Sequence, residues 1–319
     1  MSMFETDMRI KRAQGCLLGQ LAGDSLGALV EFMRPEKIKH LYPQGVRELA
    51  NGGPWNILAG QPTDDSEMAL ALARTLVEHG HYSPDQAMKA YVSWIKSDPF
   101  DCGMTIASAL GGRLNPDSQA NGALMRISPL GIFGARHALA DVAQWAKQDA
   151  ALTHPHAVCQ QANALYAMAI AHAIDTGIAP RELYEKIAAW AKSMEVEQAL
   201  FAAVADAATH PPHDFCTQQG WVLIAFQNAL WQLLHAPNAE EGIVDTVMRG
   251  GDTDTNAAIC GALLGAVHGI DAIPKRWVEA VLNCRPKAGA EGVRRPRPEY
   301  FWPVDALELA KALLANTAS

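Results

Sequence analysis

Apolar residues recur at helical spacing along most of the chain. Gln160–Asp175, Arg181–Lys192, Val196–Ala208 and Trp221–His235 each carry a stripe at i, i+3, i+4 and i+7, the signature of an amphipathic or buried helix. The segment from Ser66 to about Glu78 repeats it, with Met68, Leu72 and Leu76 on one face. No run shows the strict alternation that marks a half-buried strand. Proline and glycine fall between the periodic segments, at Ser83-Pro84, Asp98-Pro99, Asn115-Pro116, His210-Pro211-Pro212 and Ala236-Pro237. The pattern predicts an all-α, multi-helix fold. No low-complexity linker divides residues 1–319, so one domain is expected. Three longer irregular stretches remain, about Pro43–Pro62, Lys96–Leu130 and Arg285–Pro303. Loops of that length are usually functional or disordered.

Two of the predicted helices carry small residues every fourth position. Gly15, Gly19, Gly23 and Gly27 form one stripe, and Ala257, Gly261, Gly265 and Gly269 form the other. Residues four apart share a helix face. Glycine inside a helix costs about 1 kcal/mol relative to alanine, so repeated use requires a compensating gain. Close backbone approach supplies one, and the two striped helices are expected to touch.

Composition narrows the function classes. A hydrophobic fraction of 49% with 19% charged residues is globular, and 319 residues can bury a sizeable core. A net charge of −8 argues against a nucleic-acid partner, which would require a basic stripe. The longest apolar run, Ala257–Val267, is far short of the roughly 20 residues that span a bilayer. Residues Met1–Lys11 mix charges of both signs and lack the apolar core of a signal peptide. A cytoplasmic protein is expected. The six cysteines are widely spaced and form no C-x-x-C pair, so free, mostly buried thiols are expected. Nothing in the pattern sets an oligomeric state.

The candidate chemistry lies in two acidic clusters, each ending a loop and opening a helix. Thr63-Asp64-Asp65 alone has an ordinary explanation, since Asp64 with Glu67 three residues on reads as a capping box. Asp252-Thr253-Asp254-Thr255-Asn256 exceeds what one helix start requires. It is not a calcium loop, because no glycine stands at the sixth position and no glutamate at the twelfth. If the glycine-striped helices pack, Glu31 and both clusters converge. Five carboxylates in one pocket repel one another, and two divalent cations would offset them. Hard oxygen donors favour Mg²⁺ or Mn²⁺ over zinc, with Thr63 and Thr255 as candidate hydroxyl ligands.

Taken together, five ordered segments resemble the ADP-ribosylglycohydrolases. They are Gly15-Cys-Leu-Leu-Gly-Gln-Leu-Ala-Gly-Asp-Ser-Leu-Gly27 with Glu31, Thr63-Asp-Asp-Ser-Glu-Met-Ala69, Asn121-Gly-Ala-Leu-Met-Arg126, Thr153-His-Pro-His156 and Gly250-Gly-Asp-Thr-Asp-Thr-Asn256. The tail Arg295-Pro-Arg-Pro-Glu-Tyr-Phe-Trp-Pro303 is also similar to bacterial members. The resemblance implies an all-α fold with two Mg²⁺ or Mn²⁺ ions in a central cleft. It implies that Glu31, Thr63, Asp64, Asp65, Asp252, Asp254 and Thr255 bind or orient them. It also implies a substrate in which ADP-ribose is joined through its ribose C1 to a protein side chain. Hydrolysis then passes through an oxocarbenium-like state, with one carboxylate as general base, Glu31 or Asp65 first among the candidates.

The same resemblance places Asp101 near the leaving group, where a carboxylate suits the paired N–H donors of a guanidinium. This residue carries the preference for arginine as acceptor. An Asx-turn before Gly103 is the alternative. Asn121, Gly122 and Met125 become candidate ADP-ribose contacts, with exposed N–H groups suited to a pyrophosphate. Arg126 fits either a phosphate contact or a structural ion pair. His154 is a candidate cleft residue, and Trp221 serves equally as a nucleotide stack or as core. Two alternatives stand beside arginine-linked hydrolysis: cleavage of O-linked ADP-ribose (serine conjugates, poly(ADP-ribose) or O-acetyl-ADP-ribose), and a non-enzymatic ADP-ribose-binding relative.

Overall fold

The computed structural model describes residues 3–315; residues 1, 2 and 316–319 of the expected 1–319 domain lie outside the described residues. Fifteen α-helices and three short 3-10 turns account for its regular structure. Among the described residues the only β pairings are two isolated bridges, Gly52 with Ile57 and Ala120 with Trp221. The all-α expectation holds.

Two long helices form the axis: α1 (Met3–Gly27) and, much later, α13 (Thr253–His268). Between them in sequence run α2 (Pro35–Leu41), α3 (Asp64–His79), α4 (Pro84–Ile95), α5 (Met104–Leu110), α6 (Ser128–Gly134), α7 (Leu139–Ala151) and α8 (Ala157–Thr176). They are followed by α9 (Pro180–Ser193), α10 (Gln198–Asp206), α11 (Val222–His235) and α12 (Ala239–Met248). The chain closes with α14 (Lys275–Asn283) and α15 (Ala306–Ala315). One contiguous apolar core, from Ala13 on α1 to Leu314 on α15, joins them.

The glycine stripes bring α1 and α13 into backbone contact. A Cβ added at Gly19 would lie 2.8 Å from the carbonyl carbon of Gly261, and one added at Gly261 would lie 2.7 Å from that of Gly19. Gly15 faces Gly265, Gly23 faces Ala257 and Gly27 faces Thr253. The pairing order descends along α13, so the helices are antiparallel, and the C-terminus of α1 meets the N-terminus of α13. The Thr253 hydroxyl donates to the Gly27 carbonyl at 2.7 Å and closes the junction. The chain leaving α1 is pinned there too. Phe32 N–H donates to Gly251 O at 2.8 Å, and Gly251 N–H donates to Met33 O at 3.0 Å.

Local sequence sets the ends of other helices. Gly80 takes φ +69° and ends α3 with its N–H on Leu76 O. Gly177, at φ +67°, ends α8 in the same way. Both are αL caps that L side chains adopt only at a cost. Helix α8 is largely apolar and buried from Val158 to Ile174 apart from Gln160, Gln161 and His172, as suits a central helix.

Three expectations change. The Lys96–Leu130 stretch is not one loop, because α5 and a 3-10 turn at Asn121–Ala123 interrupt it and α6 begins at Ser128. Helix α3 starts at Asp64, two residues earlier than the apolar spacing shows. The capping box is also absent. Thr63 is the N-cap, and no side chain caps the helix from that position. The Asp24 carboxylate on α1 instead accepts from Thr63 N–H at 3.2 Å and Ser66 N–H at 3.2 Å. Glu67 turns away to Arg297 and Trp94.

Gly261→Ala raises intrinsic helix propensity yet forces a methyl into the backbone of α1. We expect it to cost on the order of 1–3 kcal/mol or more, by overpacking, seen as a lower urea midpoint with unchanged slope. Gly103→Ala, where an added Cβ meets nothing within 4 Å, is the control and should be near neutral.

Candidate active site

The antiparallel junction of α1 and α13 places the residues after α1 beside the residues that open α13. Helix α3 ends its preceding loop at the same point. Glu31, Asp64, Asp252 and Asp254 therefore line one cleft, with a volume of about 410 Å³. Asp101, from the loop before α5, joins them. Carboxylate oxygens of Glu31, Asp101 and Asp254 all lie within 4.8 Å of one another. Other surface clefts of similar volume exist, such as one of about 470 Å³ beside Arg34 and His213, but this group of three carboxylates is not on their walls.

Four of the carboxylates are held by neutral donors. Trp55 Nε1–H donates to Glu31 Oε2 at 2.6 Å. Asn121 Nδ2–H donates to Asp252 Oδ2 at 2.7 Å. Gly103 N–H donates to Asp64 Oδ2 at 3.2 Å. Asp65 sits beneath the cleft wall, where its Oδ2 accepts from the Thr63 hydroxyl at 3.0 Å. Its Oδ1 is buried with no hydrogen-bond partner. An orphaned carboxylate oxygen costs free energy unless something cationic meets it.

No lysine or arginine lines the cleft. Burial and mutual repulsion consequently raise the carboxyl groups. Burial, then Asp252, pushes Glu31 up to about 8. Burial, then Glu31 and Asp252, pushes Asp101 up to about 7. Asp64, Asp65 and Asp254 are held well above the usual range, burial leading in each case. This many buried acids with no counter-cation, all hard oxygen donors, fits a divalent metal centre. Glu31, Asp101 and Asp254 are the three whose geometry could share one ion.

The remaining expected contacts fall in three groups. Asn121, Gly122, Met125, His154 and Thr255 line the cleft beside the carboxylates. Gly122 has no room for a side chain, since an added Cβ would meet Ile106 Cδ1 at 2.9 Å and His154 Cε1 at 3.1 Å. His154 shares a hydrogen bond with the Thr153 hydroxyl at 2.8 Å through Nδ1, while its Nε2 has no partner. Burial, then the Arg126 charge, pushes it down to about 3, so it is a neutral imidazole at physiological pH. Thr63 lies under the wall with Asp65. Trp221 is not on the cleft wall. It lines an adjoining recess with Asp117, Gln119 and Gln218, and its Nε1–H donates to Gln119 Oε1 at 3.0 Å.

Arg126 is structural. It is fully buried, donates to Asp149 Oδ1 at 3.0 Å and to the Thr153 hydroxyl at 2.9 Å, and lies over the Tyr91 ring at 4.3 Å. All of this keeps it from a phosphate in the cleft.

Sequence reasoning missed Asp24, Trp55 and Gln219. Asp24 had a signal: it is the only charged residue from Gly15 to Val30, in a stretch otherwise small or apolar. Burial pushes it up to about 6 against the pull of its donors. Trp55 and Gln219 sit in irregular loops, and only the folded chain brings them to the cleft.

Comparisons with known proteins identify the family. The family model described as ADP-ribosylglycohydrolase matches residues 5–316. The chain is 30% identical over 283 residues to ADP-ribosyl-(dinitrogen reductase) glycohydrolase of Rhodospirillum rubrum, covering 84% of this chain and 89% of that protein. It is 28% identical over 292 residues to ADP-ribosylarginine hydrolase Tri1 of Pseudomonas putida, covering 86% and 75% respectively. A solved structure titled ADP-ribosylglycohydrolase-related protein complex superposes with a TM-score of 0.80 at 27% identity, over 98% of this chain and 100% of that one. The chain belongs to the ADP-ribosylglycohydrolase family.

Proposed function

We propose that the protein is a divalent-metal-dependent hydrolase that releases ADP-ribose from a modified protein side chain, with arginine as the preferred acceptor. The observation that carries this reading is the approach of Glu31, Asp101 and Asp254 within 4.8 Å in a cleft that no lysine or arginine lines. Glu31, Thr63, Asp64, Asp65, Asp252, Asp254 and Thr255 are the residues that would hold two Mg²⁺ or Mn²⁺ ions. When bound, such ions supply charge neutralisation and a water of lowered pKa. The chain's own groups do the rest. Glu31 faces the cleft and is oriented by Trp55, so it can take a proton from a water at the ribose C1. Asp65, buried beneath the wall and hydrogen-bonded to Thr63, orients ligands instead. Asn121, Gly122, Met125 and the neutral His154 form the wall along which ADP-ribose lies, and Trp221 borders the adjoining recess.

The arginine preference rests on Asp101, whose carboxylate suits a guanidinium, and is supported by relatives named for arginine-linked and dinitrogen reductase substrates. A second reading has its own observation. Asp101 stands close enough to Glu31 and Asp254 to share a cation with them. In that arrangement the acceptor contact is not its role, and O-linked ADP-ribose becomes as good a substrate.

Three outcomes test these assignments. Glu31→Gln should lower kcat for ADP-ribose release roughly 10²- to 10⁴-fold. Normal kcat would reject Glu31 as the base, and no release by wild-type protein from any conjugate would favour a binding relative. Asp101→Ala should slow cleavage of ADP-ribosylarginine by roughly 10- to 100-fold, the worth of a charged hydrogen bond, while O-linked conjugates change little. An equal loss on every conjugate, with weaker Mn²⁺ binding, would favour the shared-cation role.

The third concerns pH. The raised carboxyl groups bind more protons in the metal-free folded chain than in the unfolded one. Stability is thus present at low pH and is lost as pH rises through the unfolded values near 4 towards the folded values of about 7 and 8. In chelator, Tm should fall between pH 5 and 8. Added Mn²⁺ should reverse the fall, with a gain that grows with pH as protons cease to compete. A Tm gain independent of pH would count against metal binding at these acids.

A further inference from the structure

The tail between α14 and α15 reaches back across the molecule to the loops that carry the acidic residues. Arg297 is its centre. The side chains of Arg297 and Glu67 are each 2% exposed, and the two form a fork. Nε–H donates to Glu67 Oε1 and Nη2–H to Glu67 Oε2, both at 2.8 Å. The other donors go elsewhere. Nη1 donates to the carbonyls of Ser97 at 2.8 Å and Asp98 at 3.0 Å, and Nη2 donates to the Ser97 hydroxyl at 2.7 Å. All five N–H groups of the guanidinium are therefore used. Glu67 lies two residues past Asp65 on α3, and Asp98 lies three before Asp101. Arg295 adds a second link. Its carbonyl accepts from Gln61 Nε2 at 2.7 Å, two residues before Thr63. Its Nε–H donates to Trp55 O at 2.9 Å, and Trp55 in turn orients Glu31.

A pair that served only to stabilise α3 would require the two bonds to Glu67. Buried ion pairs are weak contributors to stability in any case. Three of the five donors instead fix the 97–98 turn, where Asp98 takes φ +56°. We propose that Arg297, assisted by Arg295, is a positioning residue. It sets the Asp101 loop against the start of α3 and so fixes the spacing of the carboxylates, without touching substrate. This rests on the reading that the cleft binds divalent cations.

The test uses the full-length protein with Arg297→Lys, Ser97→Ala and Arg74→Met. Lysine keeps a charge for Glu67 but cannot reach both Glu67 and the 97–98 carbonyls. Ser97→Ala keeps the ion pair intact, so it retains the fold if the lysine variant does not. Arg74 pairs with Asp305 and bonds Tyr300 O and Trp302 O, so it holds the same tail away from the cleft. Three quantities are read: Mn²⁺ affinity by titration calorimetry, amide exchange of residues 100–103 without metal, and Tm. Arg297→Lys should weaken Mn²⁺ binding roughly 10- to 100-fold, as loss of a partner that orients ligands does, and should speed exchange at 100–103. Ser97→Ala removes the bond its hydroxyl accepts from Arg297 and the one it donates to Trp94 O, and should shift both in the same direction by a smaller factor, roughly threefold to tenfold. Arg74→Met should lower Tm and leave both unchanged. Wild-type affinity and exchange in both Arg297→Lys and Ser97→Ala, or an equal loss in Arg74→Met, would overturn the proposal. If wild-type protein binds neither Mn²⁺ nor Mg²⁺, the metal reading fails, and the exchange measurement still decides the positioning role.

Discussion

The contact between α1 and α13 is the constraint from which the site follows. Two backbones pressed together through glycine leave no freedom in register, because the next carbonyl along would collide with a Cα. Gly19 and Gly261 face each other without side chains, and the antiparallel order then dictates what lies at each end. At one end Gly15 faces Gly265. At the other, Gly27 faces Thr253, and the carboxylates that follow α1 and open α13 are brought together. Glycine here gives up about 1 kcal/mol of helix propensity per position in return for placement that larger side chains would blur.

Placement carries an electrostatic cost that the rest of the site manages. Glu31, Asp64, Asp101, Asp252 and Asp254 share one cleft whose walls hold no arginine or lysine. Two helix starts, those of α3 and α13, point into it. Their dipoles favour negative charge. Neutral donors complete the support: the Trp55 indole, the Asn121 amide and the Gly103 backbone. These orient the acids without neutralising them, which leaves their charge available to a cation. Asp24 works from below, accepting the first amides of α3 so that Asp64 and Asp65 can face other partners.

Two buried arginines have different roles, set by their partners. Arg126 and Arg297 are both enclosed and both pair with a carboxylate. Arg126 spends its bonds on Asp149, Thr153 and nearby carbonyls, beneath the wall that carries Gly122. Arg297 divides its bonds between α3 and the turn before Asp101. The cleft is therefore assembled by three long-range connections: the glycine junction, the Asp24 cap and the tail.

The residue pattern by itself determined a good part of this protein. Period and punctuation gave an all-α fold. The glycine stripes gave the α1–α13 contact, and the motif order gave the family. Local chemistry made these legible, since helical spacing and a missing Cβ are properties of adjacent residues. The tertiary structure decided what depends on residues far apart. Glu67, which three-residue spacing assigns to a helix cap, is turned away from the helix start because Arg297, 230 positions later, competes for it. Arg126, ambiguous as a lone side chain, is resolved by the Asp149 and Tyr91 that surround it, whereas Trp221 packs partly on the core, bonds Gln119 and borders a recess beside the cleft. Asp101 gained neighbours, Glu31 and Asp254, that no spacing in the chain implies. Hydrogen-bond competition and burial are set by the whole packed chain, so their outcome is visible only once it has folded.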